Sequence, residues 1–347
     1  LDQDSIPFPA WDLMPRCNTY FLMSLRGCPL NCVFCMNPNG RVARQRTVDN
    51  VMEELNLVLD RYHPTDIWWA DELFTIDKER THRLLDAMIA AKVPDRVRWW
   101  CQTHVRFVDD DLFQKMKRAG VRLVGLGIET GDEAKLRALG KGTDLAMITK
   151  AREAARRAKV PISSFFVLGQ PDETIDSIKR TIDFAVKLNP EEPIFGVMVP
   201  YPGTEVSRLA AEGKGGYRLK SFDWDDYNKQ IGGAMEFADL SRSQIEWLQI
   251  QAYVKVFLLN GRFVDFAKFV WQYRRGAWSM AIKAIFGGNH VDSPVRAAAR
   301  AAIQAVVPLT REDFIVSRAD WQQWQTDEMK RSRQHAAAQP VSAPVGS

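Results

Sequence analysis

From Thr19 to about Pro200 the chain alternates short apolar runs with longer stretches in which apolar side chains recur at helical spacing and charges take the opposite face. The short runs are TYFLMSL, TDIWWA, VRWWCQT, VRLVGLGI, PISSFFVLG and PIFGVMVP. Each is rich in β-branched or aromatic residues and reads as a strand. Between them VDNVMEELNLVLDRY, KERTHRLLDAMIAAK, DDDLFQKMKRAG, DLAMITKAREAARRAK and ETIDSIKRTIDFAVKL read as amphipathic helices. Regular alternation of strand and helix predicts an α/β fold with a parallel sheet. Six strands and five helices suit a partial or full barrel.

In such architectures the chemistry collects at the C-terminal ends of the strands. That rule selects RGCPLNC, DELFT, HVRF, ETGDE, GQPDET and YPGTE, most of them polar or glycine-rich. Beyond about Gly203 the rhythm changes. GTEVSRLAAEGK reads as a helix, GYRLKSFDWDDYN as a loop, and the stretch from Ser241 to about Gly287 as helical again. The organisation expected is a linker-like segment over residues 1–18, a core over 19–206, a helical region over 207–330 and a disordered tail over 331–347.

Composition narrows the picture further. At 347 residues and 46% hydrophobic the chain can bury a large core. Its 47 Lys and Arg against 43 Asp and Glu give +4, too mild a balance to argue for nucleic acid as a partner. No apolar run approaches the roughly 20 residues that span a bilayer, and the first residues lack a signal pattern. A cytoplasmic protein is expected. Opening on Leu1 rather than Met points to the loss of an upstream segment.

Three of the five cysteines, Cys28, Cys32 and Cys35, fall in CPLNCVFC after the first strand. An odd count with one tight cluster is not a disulfide framework and indicates a soft metal centre in a reducing compartment. Structural zinc normally takes four protein ligands from two separated pairs, and here there is one triplet. Cys101, mid-strand among tryptophans, reads as a small hydrophobe, and Cys17 as structural or incidental. Three cysteines leave one position of a cubane cluster open.

CPLNCVFC resembles the loop of the radical S-adenosylmethionine (SAM) enzymes, CxxxCxΦC, with Phe34 as the aromatic before the last cysteine. The resemblance implies a 4Fe-4S cluster on Cys28, Cys32 and Cys35, with SAM on the fourth iron. It further implies reductive cleavage of SAM to a 5′-deoxyadenosyl radical, within the partial (β/α)6 TIM-like barrel of that family. Other strand ends carry it further. Asp71 or Glu72 in ADELFTID stands where the family has acids near the SAM ammonium group, although a helix N-cap would explain an acid there equally. GLGIETG resembles the GIESG segment, implying SAM contacts for Glu129 and Thr130. FFVLGQPDET resembles the fifth-strand glycine segment, implying close cofactor approach at Gly169, with Glu173 either there or capping the next helix.

VPYPGTEV and IPFPAWDLMP resemble segments of the cobalamin-dependent branch, implying that Val199 and Tyr201 flank the adenine, with a plain turn as the alternative. Where many members carry arginine after the third strand, this chain has His104, either a hydrogen-bonded structural residue or a contact to SAM or substrate. The branch implies methyl transfer or oxidative cyclisation, with cobalamin held by a domain outside this chain and an electron donor such as flavodoxin or ferredoxin. A cobalamin-free radical SAM oxidoreductase or mutase is one alternative, and a non-enzymatic iron-sulfur or zinc protein is another.

Substrate has one local clue. Between Arg262 and Arg311 eight Lys or Arg face two Asp or Glu, interleaved with Phe263, Phe266, Phe269, Trp271 and Trp278. That is the composition of an interfacial amphipathic helix, which would suit a large apolar or lipid-like substrate and peripheral contact with a membrane. Ordinary helices capping the barrel are the other reading, and no RNA-binding module is evident.

Overall fold

The computed structural model describes residues 2–221, 223–227, 229 and 233–286, apart from the side chains of 225 and 275–286. Its centre is a six-stranded parallel sheet of β1 (Thr19–Leu22), β4 (Asp66–Trp69), β5 (Arg98–Thr103), β6 (Val121–Glu129), β7 (Ile162–Leu168) and β8 (Glu192–Val197). The spatial order β1-β4-β5-β6-β7-β8 follows the chain. Each crossover carries a helix: α1 (Val48–Tyr62), α2 (Lys78–Ala90), α3 (Asp110–Arg118), α4 (Glu133–Ala138) with α5 (Leu145–Arg157), and α6 (Ile175–Leu188). All six expected strands and all five expected helices are present, and α4 is an addition too short to show a period in sequence. The sheet stays open, since β1 and β8 do not pair.

Helix starts follow local chemistry. Thr47, Asp77, Asp109, Asp144 and Thr174 each accept a hydrogen bond from a backbone N–H of the first turn of α1, α2, α3, α5 and α6. Alternation along the strands then sorts their side chains between two faces. Tyr20, Leu22, Ile67, Trp69, Trp99, Cys101, Val124, Leu126, Phe166 and Phe195 are buried in one core with Leu55, Leu84, Phe113, Ile148 and Ile182 of the helices. The opposite face carries Phe21, Trp68 and Trp100, with ring centroids 5.3 and 5.6 Å apart and Arg122 over Trp100. Phe21 is 52% exposed, so this second face opens toward solvent at the β1 edge.

Two expectations need correction. TYFLMSL is not one strand. It breaks after Leu22, and Leu25–Arg26 (β2) turns away to pair antiparallel with Arg44–Gln45 (β3) because Ser24 is captured by Asp71. The stretch GYRLKSFDWDDYN, expected as a loop, contains β9 (Tyr217–Leu219), paired antiparallel with β10 (Met235–Phe237). Three residues are too few to show alternation, and the partner lies too far along the chain for a hairpin signal. Helix α7 (Glu205–Glu212) precedes this pair, and α8 (Arg242–Leu258) and α9 (Phe263–Phe286) follow it. The part of the expected helical region (207–330) beyond residue 286 and the tail over 331–347 lie outside the described residues.

The free edge of β8 is closed by side chains in place of a further strand. The Phe195 N–H donates to the Tyr253 hydroxyl at 3.1 Å, the Gln249 amide donates to the Phe195 carbonyl at 2.5 Å, and Val197 N–H donates to the Lys229 carbonyl at 2.7 Å. Helix α8 is therefore an integral wall of the core, where a backbone group left unpaired would be costly. Tyr253→Phe keeps the ring packing against Phe195 and Phe269 but orphans the Phe195 N–H. The expected loss is about 1–3 kcal/mol in urea unfolding, with the fold retained by circular dichroism.

Candidate active site

The cysteine loop leaves β2 through Gly27, whose φ of +92° suits glycine and whose missing Cβ makes room for the Val42 carbonyl. Cys28 N–H donates to the Gly40 carbonyl at 3.0 Å, and the Asn37 amide donates to the Cys28 carbonyl, closing the loop on itself. Arg41 donates to the Leu30 carbonyl. Cys28, Cys32 and Cys35 are all half-buried. Burial pushes the Cys28 thiol up and the Cys32 thiol up to about 11, with the Lys141 charge opposing the rise at Cys32. Metal uptake here must therefore displace protons.

The other two cysteines lie elsewhere. Cys17 is exposed with its thiol on the Thr19 carbonyl, and Cys101 is buried in the core, in register with Trp69. No three Cys, His, Asp or Glu side chains among the described residues converge on one ion position. A cubane spreads its thiolates over separate irons and does not require such convergence. The triplet fits that donor chemistry.

The two acids after β4 brace the loop. Both Asp71 oxygens are committed, to the Ser24 N–H at 2.7 Å and hydroxyl at 2.5 Å and to the Leu25 N–H, and burial pushes the carboxyl up to about 6. Glu72 accepts from the Gly27 N–H at 3.2 Å and the Asn39 amide at 2.5 Å. The helix cap offered as their alternative role belongs instead to Asp77.

At the end of β6 the sheet register slips between Gly127 and Glu129, a bulge that re-aims the strand end and leaves Glu129 at φ +69°. Glu129 is buried and pairs with Lys141, itself 5% exposed, whose Nζ lies 2.5 Å from the carboxylate and 2.5 Å from the Gly127 carbonyl. A Cβ on Gly127 would collide with both partners. Lys141 sits between two left-handed glycines, Gly140 and Gly142, and its segment bridges the site. Leu139 accepts from Val33 N–H in the cysteine loop, and Gly142 accepts from Arg106 after β5. Lys141 is the residue that sequence reading passed over; a lysine between two glycines beside a strand end was its only signal.

His104 meets this same segment. Its Nδ1 accepts the Arg106 N–H at 3.1 Å, so the neutral ring carries its proton on Nε2, which lies near the Lys141 backbone without an ordinary-length hydrogen bond. Burial first, then the Lys141 and Arg106 charges, push its pKa down to about 3, and it stays uncharged at neutral pH. Thr130 is fully buried, its hydroxyl 2.9 Å from that of Thr181 and accepting from Asp132 N–H, which ties the turn after β6 to α6.

At the ends of β7 and β8 the close neighbours come from the later chain. The missing Cβ of Gly169 makes room for the Phe237 ring, and the Tyr217 hydroxyl donates to its carbonyl at 2.7 Å. Glu173 accepts from the N–H groups of Gly169 and Gln170, while Thr174 is the α6 cap; burial pushes Glu173 up to about 7. Phe34 packs with Met198, Val206, Tyr217 and Met235. Val199 and Tyr201 pack against Tyr227 and Ala234, with Lys229 over the Tyr201 ring.

Residues 22–185 match the model of the Radical SAM superfamily. With the cysteine loop at the head of a six-stranded parallel sheet, these residues form a radical SAM domain, and the relatives they match include proteins named as methyltransferases and as cyclases. One is the uncharacterized methyltransferase PH0819 of Pyrococcus horikoshii, 30% identical over 266 residues, covering 74% of this chain and 56% of that protein. Another is the anaerobic magnesium-protoporphyrin IX monomethyl ester cyclase of Cereibacter sphaeroides, 27% identical over 58% of this chain and 33% of that protein. The chain thus spans about a third to just over half of these relatives. In fold it is similar to the radical SAM methyltransferase TsrM of Kitasatospora setae, with a TM-score of 0.55 at 18% identity over 70% of this chain and 52% of that one.

Two outcomes test the geometry. Lys141→Met leaves the Glu129 carboxylate buried without its partner and is expected to destabilise by about 3 kcal/mol or more, with Glu129→Gln added to it restoring most of the loss in a double-mutant cycle. Glu173 binds its proton more tightly folded (about 7) than unfolded (an ordinary 4.5), so its contribution makes the native state less stable as pH rises from about 4.5 to 7. Denaturation midpoints of Glu173→Gln should fall less than those of the native chain over that interval.

Proposed function

We propose that Cys28, Cys32 and Cys35 hold a 4Fe-4S cluster with SAM as the ligand of its fourth iron, and that the enzyme begins radical methyl transfer on a large apolar substrate. The observation that carries this reading is the half-buried cysteine loop, tied through Val33 and Leu139 to the segment that places Lys141 against Glu129. When bound, the cluster and SAM would supply a 5′-deoxyadenosyl radical. The chain's own residues orient and enclose. Lys141 and Glu129, paired with each other, would hold the end of β6 in place beside SAM with neutral His104 against the same segment, and Phe34 and Met198 would form an apolar wall.

Thr130, Asp71 and Glu72 serve as positioning residues, because their polar atoms are already engaged in holding the loops. Tyr201 and Val199 would reach the adenine side from β8. An apolar substrate is supported by the cyclase relative, whose name specifies a porphyrin ester, and that relative also favours oxidative cyclisation as a second reading. Cobalamin would be bound outside the described residues, which form only this sheet and two small two-stranded pairs. A one-electron donor of the flavodoxin or ferredoxin type completes the set of partners.

The test is anaerobic reconstitution with iron and sulfide, followed by SAM and a strong reductant. Native protein should show the cluster's visible absorption and release 5′-deoxyadenosine. Cys32→Ala should lose both, while Cys17→Ala and Cys101→Ala keep them. Loss of the cluster in either of the latter would show a fourth protein ligand and overturn the reading.

A further inference from the structure

The ring contacts Phe257–Phe266 at 6.0 Å and Tyr253–Phe269 at 4.7 Å run in opposite senses along α8 and α9, so the two helices form an antiparallel hairpin. Phe266 and Phe269, at helical spacing, provide the face of α9 turned to α8, with Tyr273 against Phe269 and 55% exposed. In an ordinary capping helix the remaining circumference would be polar. Here it is not. Phe263, Val264, Val270 and Trp271 fall on an adjacent arc and are 65, 68, 46 and 68% exposed, and Trp247 and Ile250 of α8 are 60 and 45% exposed.

The acids beside this arc are paired: Glu246, next to Trp247 on α8, is held by Arg242 at 2.9 Å. Asp265, the acid of residues 263–274, is held by Arg262 at 2.9 Å, and Arg262 also donates to the Pro190 and Glu191 carbonyls. Lys268 is exposed, and Arg274 lies 4.2 Å from the centre of the Trp271 ring. Exposed aromatic and aliphatic side chains flanked by cations, with the neighbouring carboxylates neutralised, complement an anionic lipid surface, where tryptophan settles at headgroup depth and lysine and arginine reach phosphates.

We propose that the outer face of the α8–α9 hairpin seats on anionic membrane lipid. This deepens the reading of an apolar substrate by giving such a molecule a surface from which to be taken up, while lipid binding itself is independent of the cluster.

The experiment is co-sedimentation of the full chain with vesicles of equal parts phosphatidylglycerol and phosphatidylcholine, against phosphatidylcholine alone, with self-association followed by analytical ultracentrifugation. The chain should partition to the anionic vesicles at least about tenfold more strongly. Trp271→Glu should weaken that partitioning about tenfold. Lys268→Glu with Arg274→Glu, which leaves the apolar arc intact, should remove the preference for anionic lipid. The double variant also carries the test should Trp271→Glu lose helical signal. Failure to sediment with either vesicle overturns the proposal, as does a dimer that Trp271→Glu dissolves without any lipid binding, which would make the arc a contact between copies. Cluster assembly measured on the same samples separates these results from a failure of the radical SAM reading.

Discussion

A buried network of carboxylates and guanidinium groups beneath the first strand is the support on which the cysteine loop rests. Asp71 holds Ser24 and Leu25, Arg80 donates to the carbonyls of Ser24 and Arg46, and Arg46 pairs with Glu54, whose other oxygen accepts from the Trp11 indole. Asp71, Arg80, Arg46 and Glu54 are 3, 4, 8 and 2% exposed. In such dry surroundings the loss of any one partner strands another charge, so the network is strongly directional even where its net contribution to stability is small. It decides where the chain turns from β1 into β2, and therefore where Cys28 begins.

The rest of the fold supplies walls to that fixed point. Helices pack on one face of the sheet and leave the face with Phe21, Trp68 and Trp100 open, while α8 closes the β8 edge through Tyr253 and Gln249. The loop after β6 is drawn back by Lys141, so the ends of β5 and β6 and the cysteine loop form one unit. This unit is where a bulge, a left-handed glutamate and a buried neutral histidine occur together.

The helical C-terminal region proved to have two natures. Its inner face behaves as core, with Ile245, Leu248, Ala252 and Val256 joining the same cluster as the sheet. Its outer face does not follow that rule, and among the described residues no helix is long and apolar enough to cross a membrane. A helix buried on one side and apolar on the next carries the exposed surface on which the proposed lipid contact rests.

The apolar period located the six main strands and the helices between them, because each lies within one continuous stretch whose spacing is local. The same was true of the cysteine triplet, whose spacing within one loop is itself the signal, and of the family it pointed to. Other features depended on partners far along the chain. Asp71 and Glu72 read in sequence as candidate ligands, and only the fold showed their oxygens engaged with Ser24, Gly27 and Asn39. Gly169 was legible as a place of close approach, but that the approach is made by Phe237 followed from a strand pair nearly 70 residues away. Lys141 carries no period and no motif of its own. Its role exists only because a bulge in β6 turns Glu129 toward it, and a charge pair between two loops is a property of three-dimensional distance that no local pattern encodes.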